Sequence, residues 1–140
     1  MKSRTPPGHE RPGTTRTARA GEEDMSIQDW TRGGDGISYQ HCASCGALWY
    51  FERGFCPACG IPEPTTLQAS GRGVVHARTL VTRAPTEELR AHGPYLIVLI
   101  DADEGFRLMA HADRTLQIGD RARARFTSLA GRKIPYFGPE

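Results

Sequence analysis

Apolar positions along the chain change character near its middle. From Leu67 onward they come in short alternating runs separated by turn residues, the signature of half-buried strands. Val75, Ala77, Thr79 and Val81 share one face of an expected strand, with His76, Arg78 and Leu80 on the other. A polar stretch from Arg83 to Gly93 follows, within which Glu87 to Arg90 has the composition of one helical turn. Tyr95 to Ile100 is continuously apolar and reads as a central strand. Asp101 to Gly105 turns the chain into Phe106, Leu108 and Ala110, a hairpin pattern. After the Ile118-Gly119-Asp120 turn, Ala122, Ala124 and Phe126 point inward while Arg121, Arg123 and Arg125 point outward. Lys133 to Phe137 closes the sheet. About five strands in roughly seventy residues suit a small closed barrel, of which the OB-fold is the commonest. The fragment Gly71-Arg72-Gly73 marks a bulge at the start of the first barrel strand.

Before Leu67 the pattern is shorter and broken by cysteines. Ile37 to His41 alternates like a strand, and Leu48 to Phe51 reads as its return. Between and after them lie Cys42-Ala43-Ser44-Cys45-Gly46 and Cys56-Pro57-Ala58-Cys59-Gly60, two knuckles whose cysteine pairs are separated by ten residues. Each tight turn presents two thiols on one side. Two turns face to face supply four soft ligands in a tetrahedron, the closed coordination of a structural Zn²⁺. The glycine after each second cysteine suits a turn that needs positive φ. Residues 37–61 therefore read as a zinc ribbon with ligands Cys42, Cys45, Cys56 and Cys59, and a pair of disulfides is the competing reading. Residues 62–66, with Pro62 and Pro64, read as a stiff linker, and 67–138 as the OB-fold. Residues 25–36 form a lead-in whose apolar residues are Ile27 and Trp30. Residues 1–24, rich in Arg, Thr, Pro and Gly without a period, read as a disordered tail, and Met25 is an alternative start of translation.

Charge alters the picture only when divided. Residues 1–20 hold five Lys/Arg against one acid, but from Met25 onward there are thirteen Lys/Arg and twelve Asp/Glu. A near-neutral folded part argues against a nucleic-acid module, which lives on phosphate contacts. No apolar run is long enough to span a bilayer, and no secretory signal is evident, so a cytoplasmic location is expected.

Candidate chemistry is sparse. With all four cysteines committed to metal, no thiol nucleophile remains, and a four-ligand zinc keeps no open position for water. His76, His92 and His111 are scattered, and Asp101, Asp103 and Glu104 belong to turn chemistry, so no catalytic residue is expected. The arginine stripe Arg121, Arg123 and Arg125 reads as a solvated outer face rather than a phosphate site. Trp49, Tyr50, Phe51 and Arg53 form an aromatic and basic cluster between the knuckles. On chemistry alone Trp49, Phe51 and Arg53 are the candidates to stack a base or an adenine ring, and the competing reading is that the aromatics supply the small core of the ribbon.

The ordered set is more specific than any part of it. Tyr39 to Gly46, Cys56 to Gly60, Ser70 to Val75, Pro94 to Val98, Asp103 to Met109, Ile118-Gly119 and Ile134 to Phe137 together resemble OB-fold proteins with an N-terminal rubredoxin-like zinc ribbon, found beside thiolases and related acyl-CoA enzymes. The resemblance spans about residues 37 to 138. It implies a mainly β protein that is not an enzyme on its own. It also implies an accessory subunit that completes a hetero-oligomer with a thiolase-fold protein: a thiolase, an acyltransferase or a thiolase-like aldolase. Other members are joined to hydratase-type hot-dog domains. The partner would carry the reactive Cys or His, while this chain helps assembly and helps hold the acyl-CoA thioester. An apolar patch including Trp49 or Phe137 would then be covered only in the complex. One departure is the short helical segment before the ribbon. The competing readings are a zinc-ribbon and OB nucleic-acid-binding module, and a stand-alone acyl-CoA binder.

Overall fold

The computed structural model describes residues 27–140, so the expected tail 1–24 and the alternative start at Met25 lie outside the described residues. After a short 3₁₀ turn, Trp30–Arg32, eight strands and one helix follow. They are β1 Ser38–His41, β2 Leu48–Trp49, β3 Thr65–Gln68, β4 Arg72–Val81, α1 Glu87–Ala91, β5 Tyr95–Ala102, β6 Arg107–Ala112, β7 Arg121–Leu129 and β8 Arg132–Pro139. β2-β1-β3 make a small sheet, and β4-β5-β6-β8-β7 close into a barrel, with β7 pairing back to β4. The expected mainly β architecture, a five-stranded OB-type barrel behind a cysteine-bearing ribbon, is what the chain forms.

Alternation builds the barrel core. On β5, Leu96, Val98 and Ile100 are fully buried while Tyr95, Ile97 and Leu99 alternate outward. Leu108 and Ala110 from β6, Ala122 from β7 and Phe137 from β8 meet them inside. All β6–β8 pairing is parallel, whereas the other barrel pairs are antiparallel. Leu116, in the loop between β6 and β7, is 1% exposed and fills the remaining space in the core.

Three expectations change. Val75 does not share a face with Ala77, Thr79 and Val81. The β4–β5 register slips between Val75 and Ala77, so Val75 pairs with Ile100 but Ala77 pairs with Leu99. One extra residue inverts the alternation, which leaves Arg78 opposite the buried Val98 and Thr79 opposite the outward Ile97. The bulge thus sits at His76 rather than in Gly71 to Gly73. Gly73 has a different reason to be glycine: a Cβ there would stand 2.4 Å from the Asp101 carbonyl oxygen and 2.6 Å from Ile100 Cγ2. Next, Thr65–Gln68 straddles the expected linker and barrel start, yet pairs with β1 along its whole length. A stretch of four polar or half-exposed residues carries no strand period, and only the partner strand reveals it. Finally, Phe137 is not available to a partner, because it is 1% exposed at the centre of the core.

Ribbon and barrel share that core. Ile37 belongs to the barrel's buried cluster, and Tyr39 stacks on Phe106 with centroids 4.8 Å apart and planes 13° from parallel. Tyr50 lies 5.9 Å from the same ring. Glu104 accepts a hydrogen bond from the Ser70 amide at 2.6 Å, and Lys133 reaches the Asp35 carboxylate at 2.6 Å.

The close approach at Gly73 yields the first test. Gly73→Ala should destabilise the protein by about 1–3 kcal/mol, the usual cost of forcing atoms into a filled site. In urea unfolding the midpoint should fall at unchanged slope, and an unshifted midpoint would show that β4 and β5 are not held this tightly.

Candidate metal centre

Each knuckle is a hydrogen-bonded turn. The Gly46 amide donates to the Cys42 carbonyl at 2.9 Å, and the Gly60 amide donates to the Cys56 carbonyl at 2.9 Å. Both glycines sit at positive φ, 77° and 81°, where a side chain would be strained. Cys42 and Cys56 are buried, while Cys45 and Cys59 are exposed.

The four Sγ atoms lie within 4.8 Å of one another. Cys42 and Cys59 are 3.6 Å apart, as are Cys45 and Cys56, so each close pair crosses between knuckles. Disulfide sulfurs would be about 2.05 Å apart. A tetrahedron of metal–sulfur bonds of about 2.3 Å has edges of about 3.8 Å, which this arrangement matches. The sequence spacing therefore brings all four expected ligands to one point, and the disulfide alternative does not fit.

Electrostatics favour a cation there. Burial opposes ionisation of Cys56, but the Cys59 and Ala58 amides, donating to its sulfur at 3.5 and 3.4 Å, outweigh burial and bring it down to about 6. Amides of Cys45 and Ser44 likewise lower Cys42. At Cys45 the Ala47 amide pulls the same way, yet the neighbouring thiols and burial prevail and push it up to about 12. Four negative charges cannot share so small a volume unaided. A dication removes that conflict and holds all four thiolates deprotonated.

Gln40 organises the ribbon behind the knuckles, and nothing in the sequence singled it out beyond its place two residues before Cys42. It is 3% exposed, and its side-chain oxygen accepts from Trp49 Nε1 at 2.7 Å and from the Arg53 amide at 2.6 Å. Its Nε2 donates to Thr66 Oγ1 on β3 at 3.4 Å. Trp49 thus has its only polar atom engaged inside the ribbon, and Arg53 is anchored by its backbone. Phe51 points away, 62% exposed, with its ring 4.4 Å from that of Tyr50. The Tyr50 hydroxyl accepts from Trp30 Nε1 at 2.7 Å, and burial raises its pKa to about 12. Trp30 is therefore the lead-in's anchor on the ribbon.

The other expected surface groups are paired locally. Asp101 accepts from Arg107 at 2.6 Å with His76 at 3.4 Å, and Asp103 takes Arg121 through two bonds of 2.8 and 2.9 Å. Arg121 also reaches Glu140 at 3.0 Å, and the Arg125 guanidinium lies over the Tyr136 ring at 5.0 Å. Two of the three arginines of the stripe, Arg121 and Arg125, are thus engaged by neighbouring side chains.

Comparison with known proteins places this geometry. The family model described as ChsH2, C-terminal OB-fold domain, matches residues 67–127. A DUF35 domain-containing scaffold protein from Methanothermobacter thermautotrophicus is 27% identical over 93 residues, covering 63% of this chain and 69% of that protein. A probable enoyl-CoA hydratase alpha subunit from Thermomonospora curvata is 31% identical over 72 residues, 51% of this chain but only 22% of that protein. Among solved structures, the Ltp2-ChsH2(DUF35) aldolase matches with a TM-score of 0.63 and 25% identity, over 74% of this chain and 84% of that chain. A DUF35-family protein of unknown function from Sulfolobus solfataricus shares the fold, with a TM-score of 0.53 and 19% identity over 91% of this chain and 90% of that one. The resemblance read from the ordered motifs is borne out.

Two variants test the centre. Cys56→Ser should abolish metal retention in elemental analysis and unfold the ribbon, since metal binding and folding are one equilibrium. A variant that kept its ion and its melting temperature would contradict the assignment. Gln40→Leu should cost about 1–3 kcal/mol in chemical denaturation, because it strands the Trp49 and Arg53 donors in the ribbon interior.

Proposed function

We propose that this chain, an OB-fold protein of the ChsH2 and DUF35 kind, is a non-catalytic accessory subunit of a thiolase-type complex acting on an acyl-CoA thioester. The observation that carries the reading is the match across both ribbon and barrel to a chain solved within an aldolase named for two components, Ltp2 and ChsH2(DUF35). The scaffold designation of the archaeal relative agrees with it. The acyl-CoA substrate rests on the motif resemblance and on the hydratase subunit that shares part of this sequence.

The chemistry of the chain suits such a role. Its four thiols converge on a centre that, occupied by Zn²⁺, is coordinatively closed and serves structure alone. His76 faces a carboxylate already bonded to Arg107, an arrangement that holds a hairpin and activates no nucleophile. Reactive groups would come from the partner.

The ribbon offers a surface for that partner. Phe51 and Phe55, 62% and 54% exposed, and Ile61 are large apolar side chains left in solvent on a module of some two dozen residues. Phe55 and Ile61 flank the second knuckle, where the Cys56 amide donates to the Ile61 carbonyl at 2.8 Å. A metal-stiffened knuckle presents such side chains with little ordering cost on binding. Phe51 and Arg53 are the ribbon's contacts to the thioester in this reading, with Trp49 supporting them from the inside.

Purification of the tagged protein from its native host should recover a thiolase-fold enzyme in stoichiometric amount. Phe55→Asp should weaken that association about tenfold or more, as for a central interface residue, without lowering the melting temperature. Full thiolysis or aldol cleavage by the isolated chain would overturn the assignment.

A further inference from the structure

All thiol chemistry of this chain is confined to the metal centre. The sequence holds four cysteines, and all four meet there. Their exposure is uneven: Cys42 and Cys56 are buried, whereas Cys45 and Cys59 are exposed. The two contacts of 3.6 Å, Cys42 with Cys59 and Cys45 with Cys56, each join a buried sulfur to an exposed sulfur of the other knuckle. The centre is thus two pairs, and in each pair one sulfur meets solvent while its partner stands behind it.

Short side chains surround the exposed sulfurs. Their neighbours along the chain are Ala43, Ser44, Gly46, Ala58 and Gly60, all exposed and none long enough to fold over a thiolate. Backbone geometry explains only part of this. Gly46 and Gly60 sit at positive φ, where glycine is favoured, but Ala43, Ser44 and Ala58 do not. Small residues at these three positions leave an open path for a small reagent to either exposed sulfur.

We propose that the centre is a reversible redox switch, which a hydroperoxide converts into two cross-knuckle disulfides, Cys42–Cys59 and Cys45–Cys56, with release of the bound dication. The peroxide's O–O bond breaks as one oxygen passes to an exposed thiolate, giving a sulfenic acid and hydroxide. The buried thiolate 3.6 Å away then attacks that sulfur, forming the S–S bond and expelling a second hydroxide. Each new disulfide therefore gives two electrons to one peroxide. Four thiolates and two peroxides become two disulfides and four hydroxides, and the dication leaves because a disulfide has no charge to hold it.

The cross-links take over part of the ion's task. They join residues 17 and 11 positions apart in sequence, so the knuckles stay face to face after the ion has gone. What changes is the second knuckle. The Ala58 and Cys59 amides donate to Cys56 Sγ at 3.4 and 3.5 Å, and a neutral disulfide sulfur accepts more weakly than a thiolate. Around that turn the chain is a hairpin, closed by the Phe55–Pro62 bridge and by the Cys56 amide on the Ile61 carbonyl. Weaker bonds inside it loosen the segment that presents Phe55 and Ile61 to solvent. The switch stands on the sulfur geometry and does not depend on the accessory role.

Metal-loaded full-length protein is treated with hydrogen peroxide under argon. A chromophoric chelator follows metal release, proteolysis and mass spectrometry after alkylation map the linkages, and NMR follows the amides. About one ion per chain should leave as about two peroxides are consumed. Peptides linked through Cys42–Cys59 and Cys45–Cys56 should accumulate in step with that release. Resonances of residues 54–62 should broaden while those of 95–112 stay, and dithiothreitol with Zn²⁺ should restore the starting spectrum. Cysteine variants lose the ion outright, so access is tested beside the thiols: Ser44→Leu and Ala58→Leu should each bind metal normally and release it more slowly. Linkages within a knuckle or between chains, sulfonic acids that reductant does not reverse, loss of the barrel resonances, or wild-type release rates in both variants would overturn the switch. So would oxidation of Met109, 64% exposed on β6, while the ion is retained.

Discussion

The ribbon cannot hold itself, and much of the chain's design answers that fact. Its strands have four, two and four residues, too few to bury an apolar face of their own. Two supports act at opposite ends. At one end four thiols converge from knuckles whose amides already favour the thiolate, so a bound dication contributes folding free energy directly. At the other end the ribbon borrows the barrel's core, with Ile37 buried in it and Tyr39 and Tyr50 both set against Phe106. Between the supports, Gln40 joins β1, the Trp49 indole, the Arg53 backbone and β3 through a single side chain. Loss of any one support leaves the others connected to too little buried surface.

The barrel is the self-sufficient partner in this arrangement. Closure removes sheet edges, and inward positions from all five strands contribute to one buried cluster. The hairpin that carries Phe106 also carries the densest ion pairing, Asp101 with Arg107 and Asp103 with Arg121. These groups are about half exposed, so they contribute little to stability. Their geometric effect is larger: they fix the hairpin that the ribbon's tyrosines grip, so ribbon orientation is set by barrel electrostatics as well as by packing.

Signals that repeat within a strand were legible in the sequence, and signals that depend on a distant partner were not. A continuous apolar run identified β5, alternation identified β6 and β7 with their inward residues, and knuckle spacing identified the four sulfurs that now sit within 4.8 Å. The helical turn at Glu87 to Arg90 was visible too, capped by the Thr86 hydroxyl accepting from Leu89 at 3.3 Å. The bulge at His76 was hidden because Val75, Ala77, Thr79 and Val81 look like an unbroken alternation, and only pairing with β5 shows the slip. β3 was hidden for the same reason. Leu116 is a lone apolar residue in a polar loop, with no period to betray its burial. Phe137 was misjudged because a ring near a strand's end reads equally as core or as contact. A cleft on the barrel lined by Tyr95, His111 and Tyr136 escaped notice because these rings come from three strands and meet only through register.

The two modules turn different surfaces to solvent. The ribbon exposes Phe51, Phe55 and Ile61, and Glu52 in the hollow beside Phe51 is paired with Arg32, a surface suited to a protein partner. The barrel's outer face gathers the rings of His92, Tyr95, His111 and Tyr136 in a cleft with Arg114 in its lining. The shared core then matters in a second way. Since Ile37, Tyr39 and Tyr50 lock the ribbon to the barrel hairpin, the two surfaces keep a fixed relative position. Binding at one could then meet the other in register without an ordering cost at the joint.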